Sequence, residues 1–329
     1  MRAHNPAKMF ITLVRMALLL FGTSLVAFVL ISNAPVDPME SFAPSERNVS
    51  QEQREHIAEY WGLNKPPVER YFSWLGNVLR GDMGTSSSFR KPVSAVIAER
   101  FTGSLVLMLT AWAFSGVLGF TLGVICGANP NGVADRIIRT FSFILASTPV
   151  FWIGLLLLMG LSIRLGWFPL GLAVPIGKAA SEVTLGDRIH HLILPAFTLS
   201  ITGIASITLH TREKLVEVMN SDYVTFARAR GESRAVSILR HGLRNCAIPA
   251  ITLQFASFSE LFGGSVLAEN VFSYPGLGSA VSRAGINGDV PLILGVTMFS
   301  VLFVFVGNLI ANLLYSLLNP QIRGEGRLS

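Results

Sequence analysis

A chain that powers its own chemistry must carry particular groups at particular spacings, and this one approaches such patterns without completing any. A phosphate-cradling loop, G-x-x-x-x-G-K-[S/T], wraps backbone N–H groups around phosphates and needs its lysine and hydroxyl in fixed register. The nearest approach runs from Gly171 to Gly177-Lys178-Ala179. Its spacing is one residue too long, and Ala179 stands where the hydroxyl belongs. No G-x-S-x-G elbow and no H-E-x-x-H pair is present. His190 and His191 are adjacent, so they cannot both face one metal from a helix; they are expected as a solvated pair at a membrane edge. Cys126 and Cys246 lack CxxC or Cys/His spacing and are expected as small buried residues. No metal site, catalytic group or cofactor is therefore expected in this chain.

One ionisable residue is out of place. Glu260 lies near the middle of an apolar run, in Ser257-Phe258-Ser259-Glu260-Leu261-Phe262-Gly263-Gly264. A carboxyl at that depth is expensive and must face a polar cavity or a partner group. Two readings stay open. Glu260, with Ser257, Gly263 and Gly264, lines a path or gate for a cationic solute, or the carboxyl is hydrogen-bonded to a neighbouring helix.

The elements that would position these groups are membrane helices. The chain is 51% hydrophobic and only 14% charged, with a mean hydropathy of +0.53, whereas soluble domains carry about 25% charged residues. Six runs approach or exceed the roughly 20 residues needed to span a bilayer: 10–31, 102–127, 137–163, 192–209, 248–268 and 291–316. The first resembles a signal peptide in its flanks. Its length exceeds the roughly 7 to 15 apolar residues of a cleaved leader, so retention is expected. The fold expected is thus all-α, with six transmembrane helices and a long polar insertion after the first. Short helices are expected in that insertion at 50–61 and 66–79, the second opened by Pro66-Pro67. Residues 1–101 form the first helix and the insertion, 102–323 a five-helix membrane domain, and 324–329 a tail.

Charge sets the orientation. Fourteen lysines and arginines fall at the N-terminus, in 128–139, in 210–247 and in the tail, against four in 164–191 and 269–290. The 32–101 insertion is set aside, because long segments cross largely regardless of charge. Both termini and the 210–247 loop are therefore expected in the cytoplasm. The net charge of +6 follows from this placement and does not require nucleic acid.

The 210–247 loop is the informative segment. Asp222 suits the N-cap of a short helix on which Tyr223, Phe226, Ala227 and Arg230 share a stripe, and Gly231 suits its stop. A second helix from Ser233 to Asn245 would carry Val236, Leu239 and Leu243 on one face. Two amphipathic helices must cover their apolar stripes, against either membrane lipid or a soluble partner.

Here the sequence becomes familiar. Asp222-Tyr223-x-x-x-Ala227-Arg228-Ala229-Arg230-Gly231, followed by Leu239-Arg240-His241-x-Leu243-Arg244-Asn245 and Pro249, resembles the coupling loop of ABC importer permeases. More narrowly, it resembles the first (B-type) permease of the dipeptide, oligopeptide and nickel family. Gly62-Leu63-Asn64-Lys65-Pro66, Tyr71-x-x-Trp74 and Gly81-Asp82-Met83-Gly84-Thr85-Ser86 are similar to that branch's external insertion. Further similarity lies in Ser147-Thr148-Pro149-Val150-Phe151-Trp152, Leu194-Pro195-Ala196 and the outer-face signature Glu269-x-x-Phe272-x-x-Pro275-Gly276-Leu277-Gly278. Asp289-x-Pro291-Leu292 and Asn319-Pro320-x-Ile322-Arg323 complete it. The departures are Thr225-Phe226-Ala227 for Glu-Ala-Ala, Arg230 for a lysine, and Asn319 for an aspartate. Glu260 is similar to a position in nickel-type members.

The resemblance implies a type I ABC importer permease fold in a bacterial inner membrane. It implies a heterodimer with a second related permease, one or two ABC ATPase subunits that bind ATP and Mg, and an extracytoplasmic solute-binding protein. In that scheme Asp222, Tyr223, Phe226, Ala227 and Ala229 belong to the docking helix, Gly231 to the coupling turn, and Arg228, Arg230 and Arg240 to its polar rim. The cargo classes implied are peptides, nickel, other metal chelates and related solutes. The rival reading is a secondary transporter driven by an ion gradient. Scarce buried charge and the lack of internal halves with broken helices argue against it.

Overall fold

The computed structural model describes residues 6–33, 65–179 and 181–318. The expected 50–61 helix, the Gly62-Leu63-Asn64 motif and the tail from Asn319 lie outside them. Contacts divide the chain into two compact units. One takes the residues up to Gly103 together with Gly276–Val306, and the other takes Ser104–Pro275 with the helical residues from Gly307.

In the first unit, α1 (Pro6–Ser32) packs on α2 (Pro67–Leu79), which starts at the expected prolines. Tyr71 is the anchor: its hydroxyl lies 2.7 Å from that of Ser24, and its ring meets Phe28 edge-on at 5.3 Å. A two-residue hairpin follows, β1 (Thr85–Ser86) antiparallel to β2 (Lys91–Pro92). It is held by Asp289, which is fully buried and accepts from Ser86 Oγ at 2.5 Å and from the Ser88 N–H at 2.9 Å. Two motifs that lie about two hundred residues apart in the chain, Gly81–Ser86 and Asp289–Leu292, are thus one structural feature. The unit also contains the start of α3 (Val93–Ala128) and much of the last helix.

Among the described residues, the second unit is helical apart from its turns and the irregular stretch before Leu185. After α3 come α4 (Val133–Ser147) and α5 (Val150–Leu157), the latter continued by a π-helical turn over Leu158–Arg164. The single span expected over 137–163 is therefore broken, by 111°. Pro149 is the cause, because a residue before proline is steered out of the helical region and Thr148 is extended at φ −100°, ψ 132°. The 165–184 segment leads to α6 (Leu185–Met219), opened by a Thr184–Asp187 capping box. α6 overruns the expected 192–209 span, adding ten residues at its C-terminal end. Next are α7 (Asp222–Ala229), α8 (Arg234–Ser237), a π-helical turn over Ile238–Gly242, α9 (Leu243–Ala256) and α10 (Phe258–Val271). α11 (Leu277–Ile286) and α12 (Val290–Leu318) close the described chain.

Among the described residues, α3, α6 and α12 as far as Ala311 are each long and apolar enough to cross a membrane. The bent pairs α4/α5 and α8–α9/α10 raise the number to five if each is one span, and Val14–Leu30 is a shorter apolar stretch.

α6 is the spine of the second unit. Gly119, Gly123 and Gly127 recur at helical spacing on α3, and Ile207, Thr211 and Leu215 of α6 sit directly on them. A Cβ at Gly123 would stand 2.6 Å from Thr211 Cβ and 2.8 Å from the Thr208 carbonyl oxygen. Small residues let backbones approach this closely, which is how helices associate where lipid removes the hydrophobic drive. His191, expected as solvated, is instead buried. The 165–184 segment folds over it, and its Nδ1 donates to the Gly171 carbonyl at 2.8 Å, while the exposed His190 reaches the Trp167 carbonyl. Cys126 and Cys246 are free and buried, as expected.

Gly123→Ala should lower the thermal midpoint of the detergent-solubilised protein, at a cost of about 1–3 kcal/mol for overpacking. Gly263→Ala, where nothing lies within 4 Å of the added carbon, should leave it unchanged. Equal midpoints for both variants would contradict this packing.

Candidate functional site

The docking candidate is built on the end of α6. Leu215, Val218 and Met219 there form a buried cluster with Val224 of α7 and Cys246 of α9. Val224 is fully buried and fastens α7 to α6, a contribution of about 1.5–3 kcal/mol for a side chain of its size. It was not among the expected site residues, because the amphipathic stripe drew attention to its neighbours. Ser221, not Asp222, is the N-cap; Asp222 is the first helical residue, where its charge still favours the helix N-terminus.

α7 ends as its sequence predicts. Gly231 takes φ +100°, a conformation that glycine adopts without a Cβ penalty. The Gly231 N–H donates to the Arg228 carbonyl at 3.0 Å and the Glu232 N–H to the Ala227 carbonyl at 3.2 Å, the paired bonds of a Schellman stop. With Val224 turned inward, the opposite face is left uncovered. Tyr223 is 50% and Phe226 65% exposed. Ala227 is half-buried, and Asp222, Arg228, Ala229 and Arg230 are exposed. The Arg230 guanidinium lies 5.9 Å from the centre of the Phe226 ring, and the Asn245 amide donates to the Tyr223 hydroxyl at 3.2 Å.

The segment after Gly231 departs from a plain amphipathic helix. The π-helical turn at Ile238–Gly242 inserts a residue into the repeat, so Ser237, Gly242, Cys246 and Ala250 form the buried side. Gly242 packs closely there: a Cβ would stand 2.6 Å from Leu215 Cδ1, so that side chain would have to shift to admit one. Val236 and Leu239 are exposed, Leu239 by 66%, and extend the apolar patch of Tyr223 and Phe226 by type. Arg240, expected at the polar rim, is exposed there and paired: its Nη1 donates to Glu232 Oε1 at 3.1 Å, and His241 Nε2 donates to Oε2 at 3.2 Å. Partial burial raises the Glu232 pKa, but the bonds from Arg240 and His241 and their charges outweigh it and hold the carboxyl below the usual range.

The residues expected to line a solute path lie at a second break. α9 and α10 meet at Ser257 with a bend of 53° for the whole Arg234–Val271 pair. The break is braced by Trp112 of α3, whose Nε1 donates to the Gln254 carbonyl at 2.8 Å. The Gln254 amide donates back to the Trp112 carbonyl and to Ser115 Oγ. Glu260 is in the first turn of α10 and exposed. Its carboxylate forms no ion pair among the described residues. Ser257 and Gly264 are half-buried, and Gly263 is exposed with open space around it. The outer-face signature is an internal brace. Glu269 is fully buried and accepts from Ser104 Oγ at 2.6 Å. Phe272 is buried, its carbonyl accepting from the Leu172 N–H at 2.9 Å. After Pro275, Gly276 and Gly278 lie buried at the start of α11.

Apolar helices long enough to cross a membrane, with a basic loop that leaves apolar side chains uncovered, make this a membrane protein with an interaction surface. Residues 119–324 match the family described as "Binding-protein-dependent transport system inner membrane component", and the chain belongs to it. It is therefore a permease of an ATP-driven importer, placed in the inner membrane. The oligopeptide transport system permease protein AppB of Bacillus subtilis is 40% identical, over 92% of this chain and 95% of the relative. The di/tripeptide permease DppB of Pseudomonas aeruginosa is 33% identical, over 93% and 95%. The glutathione permease GsiC of Escherichia coli K12 is 33% identical, over 92% and 94%. In structure, the chain is similar to the inward-facing MetNI methionine ABC transporter, with a TM-score of 0.51 and 13% identity over 69% of this chain and 97% of that one. That likeness concerns the fold alone.

Glu232→Gln should loosen the turn, read as faster amide exchange over Gly231–Ser237 at neutral pH. Acidification should have the same effect on the native protein. A carboxyl with a depressed folded pKa stabilises above its unfolded value, about 4.3, and loses that contribution as pH falls through the folded value. Exchange unchanged by both treatments would show that Glu232 restrains nothing.

Proposed function

We propose that this chain pairs with a second, related permease, that the cargo passes between the two, and that the loop at 210–247 receives a separate ABC ATPase. The observation that carries the reading is the construction of α7. Val224 fixes it to the spine, Gly231 stops it, and Tyr223 and Phe226 are left uncovered for a protein surface. ATP and Mg belong to the ATPase subunits, one or two in kind. Both termini and this loop face the cytoplasm, on the side where lysine and arginine accumulate. A solute-binding protein delivers cargo to the opposite face, whose loops are held by the buried Glu269–Phe272 brace.

The cargo proposed is a short peptide, since the similar permeases are named for oligopeptides, di- and tripeptides and glutathione. Nickel and other chelates have no such support. Glu260, with Ser257, Gly263 and Gly264, lines the path, and its carboxylate complements the ammonium end of a peptide.

In the assembled importer, Ala227→Asp should abolish ATP-dependent uptake while the protein stays in the membrane at normal level. Normal uptake by that variant would remove the docking assignment. Uptake by this chain alone, insensitive to ATP and collapsed by an uncoupler, would establish the secondary-transporter reading instead. Glu260→Gln should slow free-amine dipeptide uptake about tenfold, the scale of one charged hydrogen bond, and spare N-acetylated dipeptides. Equal rates with wild type for both would leave Glu260 off the path.

A further inference from the structure

A docking helix transmits force only if something stiff connects it to the helices that must move. Asp135, in the first turn of α4, is fully buried. Its carboxylate accepts from Arg212 of α6 through both arms of the guanidinium, Nε to Oδ1 and Nη2 to Oδ2, each at 2.9 Å. The Asn131 N–H adds a third bond at 2.7 Å. Such a fork fixes orientation as well as distance. Arg212 is three residues before Leu215, where the cluster that seats Val224 begins, and next to Thr211, which sits on Gly123. The ion pair therefore stands on the part of the spine that carries the docking helix.

At the far side of the 111° corner, α5 returns to the same spine. A Cβ on Gly154 would lie 3.1 Å from Thr198 Cγ2 of α6. Thr198 and Arg212 are 14 residues apart, about 21 Å along α6. The bent α4–α5 pair thus touches α6 near both ends, through an apolar contact at one and a bidentate charge pair at the other. An apolar contact slides, whereas the forked pair holds only in one geometry.

We propose that the Asp135–Arg212 pair is a latch that carries movement of the docking loop into α4 and α5, making both positioning residues of import. This rests on the ATPase-docking reading. Breaking the latch leaves α7 free to follow the ATPase while α4 and α5 lag, so hydrolysis continues without matching import.

The test uses the complete importer in liposomes, with its partner permease, ATPase subunits and binding protein, and labelled di- and tripeptides as cargo. The readout is ATP hydrolysed per peptide imported, at equal subunit content. Asp135→Asn should raise that ratio about two- to thirtyfold, the range expected of one coupling contact. Arg212→Lys, which keeps the charge but loses the fork and so preserves assembly, should raise it by less. A ratio unchanged in Arg212→Lys, even with both rates lowered together, would make the pair a structural brace and overturn the proposal. Wild-type complex without ATP-dependent uptake would instead remove the importer reading on which the latch rests.

Discussion

The close approach of α3 and α6 is the constraint on which the second unit depends. Without side chains at Gly119, Gly123 and Gly127, Ile207, Thr211 and Leu215 seat directly on backbone. Gly203 makes the reciprocal fit, where a Cβ would stand 2.8 Å from Ser115 Cβ. Lipid offers apolar side chains no reason to leave it, so such interlocking supplies the cohesion that burial supplies in water. Every element with a proposed role hangs on α6. Its N-terminal half holds α5 and, through His191, residues 165–179, and its C-terminal half carries the cluster that seats α7 and α9.

That arrangement divides labour between the two faces of α7. The inward face uses one side chain, Val224, and the outward face keeps two aromatics uncovered, at the cost of exposed apolar surface in the isolated chain. Patches of that kind mark interaction sites on otherwise polar loops. The turn after it is stiffened from two sides. Gly231 removes the steric penalty of the left-handed stop, and Glu232 ties the following residues to Arg240 and His241. A helix with a fixed end, a fixed back and an open front can pass on a push without first deforming.

The breaks in the helices follow the same economy. Pro149 forces the α4–α5 corner by local sterics alone. The α9–α10 bend has no proline at its centre and is stabilised from outside, by Trp112 taking over the Gln254 carbonyl. Irregular backbone at membrane depth is tolerated where protein groups satisfy it, and the exchange of bonds between Trp112 and Gln254 does so. The bend also places Glu260 at the beginning of a helix rather than in the middle of one.

Much of this was written locally. Composition and the long apolar runs were enough for the membrane class. The helix at 222–229 and its glycine stop were legible because capping and φ > 0 depend on a few neighbouring residues. The π-helical turn at 238–242, the inward turn of Val224 and the burial of His191 were not, since each is decided by what α6 or a folded-over segment presents to that residue. Asp135 and Arg212 lie 77 residues apart and local sequence singles out neither; only packing makes them a pair. Sequence therefore determined that the chain is built of apolar helices and where the most local signals, such as the glycine stop at Gly231, end one of them. The tertiary structure decided which face of each turns inward, because that choice depends on contacts between residues the chain keeps far apart.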